Sequence, residues 1–121
     1  MNKSVLTVDP TSSIGEAAEK MIEAGVGAVV VMEDMARIVG IVTERDILRA
    51  VAQRARAAEA RVRQWMTEGV VTIEPETAIK DAAKMMFENN FRHLPVVNKD
   101  GRLMGIASLR RLSQHEFEHS T

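Results

Sequence analysis

The sequence predicts a mixed α/β (α+β) fold built from two β-α-β-β-α repeats packed on each other about a pseudo-twofold axis. Three observations lead there. Shifted by 65 positions, Val5–Ile47 aligns with Val70–Leu112 without a gap, and thirteen of the 43 pairs are identical. Each copy alternates short apolar runs with one stretch of helical period. Turn-forming residues separate these segments at matching places. One copy alone is too small to bury an adequate core, so two must share one.

The elements follow in order. Val5–Val8 reads as a short strand ended by Asp9-Pro10, and Thr11, Ser12 and Ser13 each offer a helix N-cap. Ile14, Ala17, Ala18, Met21 and Ile22 then recur at helical spacing, matched by Ile79, Ala82, Ala83, Met86 and Phe87. Gly25 and Asn90 close these helices, since both residue types accept a left-handed backbone. Val29, Val30, Val31 and Met32 form the unbroken run of a strand covered on both faces. A turn over residues 33–36 leads to a strand at Ile38–Val42; the matching turn, Asn98-Lys99-Asp100-Gly101, is a hairpin signal. A second helix starts near Thr43 and again near Ser108, and the first of these is expected to continue through residues 49–66, which contain VRQWMT (Val62–Thr67). The expected division is residues 1–57 for the first repeat, 58–69 for a connecting helix or linker and 70–121 for the second repeat, together one compact module.

Composition narrows the function. The chain has 121 residues, 45% hydrophobic and 27% charged, which suits a globular protein. No apolar run approaches the roughly 20 residues of a membrane span, and the N-terminus lacks the apolar core of a secretion signal. A cytoplasmic location and no membrane partner are therefore expected. With no cysteine, disulfides and thiolate chemistry are excluded. A net charge of −1 gives no general attraction for nucleic acid. Arg45, Arg49, Arg54, Arg56, Arg61 and Arg63 make one segment basic, but a solvated helix face accounts for it, and aromatic platforms for bases are few.

The most specific stretch is GIVTERDI, Gly40–Ile47, which returns as GIASLRRL, Gly105–Leu112, with Asp46 replaced by Arg111. Thr43 and Asp46 match a capping box, in which each side chain bonds the other residue's backbone N–H. The same turn also suits a ligand: helix N-terminal amides favour phosphate, a hydroxyl can bond its oxygens, and a carboxylate can accept from two neighbouring ribose hydroxyls. Gly40 would let another backbone or a flat base approach closely. Spacing alone does not separate these readings.

The doubled unit, the TVDPTSSIGEAAEKM and RHLPVVNKDGRLMGIAS stretches and above all GIVTERDI resemble a tandem pair of CBS domains, the cystathionine β-synthase type of module. The resemblance covers residues 3–114. It implies a regulatory module that binds an adenosine-containing ligand (AMP, ADP, ATP or S-adenosylmethionine) in clefts between the repeats. The family motif G-h-x-[ST]-x-x-D, with h apolar, falls on Gly40, Ile41, Thr43 and Asp46, and implies a hydroxyl near phosphate and a carboxylate on ribose; Arg45 belongs to the same turn. By the same resemblance Thr72 touches the base, and Phe91, Arg92 and His93 line this main cleft. Phe91 can pack on adenine or simply fill core, Arg92 can meet phosphate or pair on the surface, and His93 can do either beside its strand. Thr7, Val26, Gly27, Ser108, Arg110 and Arg111 fall to the second cleft. There Arg111 donates where a ribose needs an acceptor, so an anion alone, or a vestigial site, is expected, and one nucleotide per chain. The resemblance also implies homodimers through helices, at faces containing Met21/Ile22 and Met86/Phe87, and a regulated partner protein.

No catalytic constellation is present. His115-Glu116-Phe117-Glu118-His119 formally matches H-E-x-x-H, but the downstream third ligand is missing, so no metal site and no enzyme activity are expected. No cofactor is implied beyond the nucleotide as regulatory ligand. The alternative function is a homodimerising interaction module without a physiological nucleotide.

Overall fold

The structure is a computed structural model that describes residues 6–34 and 36–109. The chain divides into two compact units, residues 6–70 and the residues from 71 onward.

In the first unit, β1 (Thr7–Val8), β2 (Ala28–Glu33) and β3 (Arg37–Thr43) form a sheet in the order β1-β2-β3. The parallel β1–β2 pair needs a crossover, and α1 (Ile14–Ala24) supplies it; β2 and β3 form an antiparallel hairpin. Of the three candidate caps, Ser13 starts α1, in a capping box with Glu16. Thr11 instead closes on Asp9, and its hydroxyl, then its amide, hold the Asp9 carboxyl below the usual aspartate range. Gly25 ends α1 at φ 66°, as the sequence predicts, with the Val26 amide bonding the Met21 carbonyl at 3.0 Å. Ala17, Val29, Val31, Val42 and Val62 are fully enclosed at the centre of this unit's core.

The helix expected through residues 49–66 does not form. α2 (Glu44–Ala52) stops at Gln53, Arg54 turns left-handed at φ 64°, and only a short α3 (Val62–Trp65) follows. The physical reason lies at the start of α1, whose first amides have no partner within their own helix. The irregular segment provides them: the Ala60 carbonyl accepts from Ile14 N at 2.9 Å and the Ala57 carbonyl from Gly15 N at 2.8 Å. A continuous helix would have used those carbonyls internally.

In the second unit, α4 (Ile79–Asn89) precedes the hairpin of β4 (His93–Val97) and β5 (Leu103–Ser108). Asn90 ends α4 at φ 57°, the counterpart of Gly25. Ile73, Ala82, Met86, Leu94 and Val96 form a separate core. The 65-residue repeat survives at the level of register. Ala28 faces Thr43 as His93 faces Ser108, Val31 faces Gly40 as Val96 faces Gly105, and a bulge follows Val31 and Val96 alike. One expected strand shrinks: the counterpart of β1 is reduced to a single parallel bridge, Ile73 to Val96. Val30 donates its amide to the Leu6 carbonyl at 3.3 Å, whereas the equivalent residue is Pro95, which has no N–H to give. The helix expected after Ser108 has its first residue at Leu109; the remainder falls on residues 110–121, outside the described residues.

Candidate functional site

Thr43 ends β3 in extended conformation and becomes the N-cap of α2. Its hydroxyl accepts from Asp46 N at 3.4 Å, while the Asp46 carboxylate accepts from Thr43 N at 2.9 Å. The capping box foreseen in the sequence is therefore formed. The Gly27 carbonyl accepts the next amide, Glu44 N, at 3.1 Å, so Val26 and Gly27 stand beside this turn within the first unit.

Asp46 is only 2% exposed. Burial of a carboxylate is costly unless its lone pairs are engaged, and here they are. Oδ2 accepts from Thr43 N and from the Thr43 hydroxyl at 3.2 Å. The Thr67 hydroxyl lies 3.2 Å from Oδ1 and 3.3 Å from Oδ2. Arg49 Nη1 stands 3.6 Å from Oδ1, and its guanidinium carbon is 6.0 Å from the centre of the Trp65 ring. Arg49 is half exposed, so its contribution is screened and small.

Gly40 admits a backbone. Thr67 and Ile41 exchange both amide bonds, Thr67 N to Ile41 O at 2.9 Å and Ile41 N to Thr67 O at 3.0 Å. A Cβ at Gly40 would lie 2.6 Å from Met66 Sδ and 3.0 Å from the Thr67 carbonyl. The close approach anticipated at this glycine is thus met within the unit by Met66 and Thr67, with no ligand required.

The first unit accordingly brings together Gly40, Ile41, Thr43 and Asp46, with Arg45 exposed on the outer side of α2 and Thr7 in β1. Thr72, Phe91, Arg92, His93 and Ser108 belong to the second unit. Phe91 packs against the core of Met86 and Leu94, which supports its core-filling reading; Thr72 and Arg92 are exposed, and His93 pairs with Ser108 across the hairpin. Arg110, Arg111 and the His115–His119 motif lie outside the described residues. Sequence reasoning did not foresee Thr67, Arg49 and Trp65 at this turn. The only available hint was a single threonine after the apolar Trp65-Met66 pair. Among the described residues no group of three or more His, Asp or Glu side chains could hold a metal, and no helix is long and apolar enough to cross a membrane.

The model of the CBS domain family matches residues 1–53 and 62–117. An uncharacterised 17.7 kDa protein of Acidianus ambivalens is 40% identical over 110 residues, covering 91% of this chain and 66% of that protein. A Methanopyrus kandleri relative, also uncharacterised, is 35% identical over 94% of this chain and 59% of its own length. The chain thus spans about two thirds of these curated relatives or less. Among solved structures, a CBS-domain containing protein from Agrobacterium tumefaciens is 37% identical with a TM-score of 0.87, over 95% of this chain and 91% of that one. A CBS domain protein from Pyrobaculum aerophilum complexed with AMP is 33% identical with a TM-score of 0.83, over 91% and 84% of the two chains. The CBS domain pair of protein MJ0100, in complex with 5′-methylthioadenosine and S-adenosyl-L-methionine, is 27% identical with a TM-score of 0.84, over 93% and 92%. With two matched segments, two repeats in one register and relatives alike over nearly their whole fold, the chain belongs to the CBS domain family, as a pair of such domains.

Proposed function

We propose that this chain is a non-catalytic regulatory module that binds one adenosine-containing ligand at the Thr43–Asp46 turn. The observation that carries the reading is the Asp46 carboxylate, buried on the first turn of α2 beside a hydroxyl and a helix N-terminus. A carboxylate of this kind can accept both hydroxyls of a ribose, and the helix start favours phosphate. The AMP complex of the Pyrobaculum aerophilum protein and the adenosine compounds bound to MJ0100 support the ligand class. Arg111 in place of a second such aspartate supports a single nucleotide per chain, and the residue types at Ser108, Arg110 and Arg111 suit a bare anion. Calorimetric titration with AMP, ATP and S-adenosylmethionine tests the reading. The wild-type protein is expected to bind at least one of them, and Asp46→Ala to bind it about tenfold more weakly or worse; equal affinity of the two proteins would remove the carboxylate from the site.

A second reading, assembly into homodimers through helices, is favoured by one observation. Ile22 on α1 and Phe87 on α4, equivalent positions in the two repeats, are 81% and 88% exposed. Their neighbours Met21 and Met86 are enclosed in the two cores.

A further inference from the structure

We propose that Thr67 is the positioning residue of this site, its hydroxyl fixing the plane of the Asp46 carboxylate so that a sugar diol meets two free lone pairs. The proposal rests on the nucleotide reading above. The torsion that turns a carboxylate about its Cβ–Cγ bond is soft, so the side chain presents a defined face only if something holds it. Thr43 N holds one oxygen, Oδ2. Thr67 Oγ1 straddles both, nearly equidistant at 3.2 and 3.3 Å, which a carboxylate rotated either way would lose.

Thr67 is itself fixed. Both its backbone groups bond Ile41 on β3, and its neighbour Met66 donates to the Val62 carbonyl at 2.8 Å. Val62 is fully buried, and its amide bonds the Ser12 carbonyl at 2.8 Å. The hydroxyl therefore hangs from a frame that reaches the sheet on one side and the start of α1 on the other, the kind of rigid support a binding group needs.

Counting lone pairs gives the division of labour. A carboxylate offers about four acceptor positions. Thr43 N gives one hydrogen and the Thr67 hydroxyl gives one, shared between the two oxygens, while Arg49 at 3.6 Å stands beyond hydrogen-bond reach. The Thr43 hydroxyl, which donates to Oδ2 in the structure, is released when it turns to a phosphate oxygen. Two positions then remain, the number a vicinal diol uses. Thr67 acts through Asp46 and touches no ligand in this arrangement.

The test compares AMP with 2′-deoxy-AMP by calorimetry on the wild-type chain, Thr67→Val and Thr67→Ser. The wild-type chain is expected to prefer AMP by about tenfold or more. Thr67→Val should bring that preference to about twofold or less, whereas Thr67→Ser, which keeps the hydroxyl, should retain it. A general loosening of the fold would weaken both nucleotides alike and leave the ratio intact, so an unchanged preference in Thr67→Val overturns the positioning role while leaving the nucleotide reading in place. A wild-type chain that binds neither nucleotide overturns the nucleotide reading, and positioning for a sugar with it. Thr67→Ala removes the same hydroxyl with less bulk and reads out the same ratio if Thr67→Val does not fold.

Discussion

Gly40 leaves no room for a side chain, because a Cβ there would stand 2.6 Å from Met66 Sδ and 3.0 Å from the Thr67 carbonyl. The two neighbours differ in how they can respond. A methionine side chain swings away readily, but the Thr67 carbonyl is backbone and already bonds Ile41 N at 3.0 Å. Gly40→Ala should therefore cost about 1–3 kcal/mol, seen as a lower denaturant midpoint. Adding Met66→Ala should recover only part of that loss, since the carbonyl contact remains; full recovery would mean that the sulfur alone sets the limit. At the same scale, the single acidic side chain at position 46 does two jobs. It caps α2 through Thr43 and joins α2 to the segment after α3 through Thr67. Asp46→Ala should thus lower stability as well as nucleotide affinity, and the two effects are separated by titrating well below the melting temperature.

The two repeats show how one residue decides whether an element forms. Val30 and Pro95 are equivalent positions with equivalent burial. The Val30 amide secures the Leu6 carbonyl and β1 is a strand; Pro95 has no amide and its neighbour shrinks to one bridge at Ile73. Val30→Pro should reproduce the second arrangement in the first unit. The lost bond and the partly buried Leu6 carbonyl left without its partner should cost about 1–3 kcal/mol, measured as a shift of the denaturant midpoint, with faster amide exchange confined to β1 and β2. Exchange that rises evenly through the chain would contradict so local an effect. The irregular segment after α2 follows the same logic of hydrogen-bond demand: α1 needs acceptors at its N-terminus, and the Ala57 and Ala60 carbonyls give up helical bonding to meet that need.

For the whole molecule, the exposed apolar residues matter most. In the first unit Leu48 and Val51 on α2 are also exposed, at 69% and 64%. Single exposed apolar residues are ordinary, but Ile22 and Phe87 recur at the same place in both repeats. The proposed homodimer predicts that Ile22→Glu with Phe87→Glu halves the mass found by sedimentation while leaving the far-ultraviolet circular dichroism unchanged. An unchanged mass would place any association elsewhere. Because Trp65 is the chain's one tryptophan and sits 6.0 Å from the Arg49 guanidinium beside Asp46, its emission offers an independent report on whether nucleotide reaches that corner in monomer and dimer alike.

What the sequence determined by itself is whatever a residue settles with neighbours three or four positions away. The Thr43–Asp46 box, the left-handed stops at Gly25 and Asn90 and the Asn98–Gly101 turn are local bonds or local backbone preferences, and each was legible, whereas for α1 the sequence offered three caps and the structure chose Ser13. The repeat made the fold legible too, because the same apolar pattern at a constant offset imposes the same register. Only the tertiary structure decided where the helix after Asp46 ends, what Gly40 accommodates and which group completes the Asp46 carboxylate. Thr67 is 21 residues from Asp46 in the chain, and no period or cap signals a contact of that span. It arises because the chain must return along β3 to satisfy backbone amides at Ile41 and at the start of α1, a demand that exists only once the elements have packed.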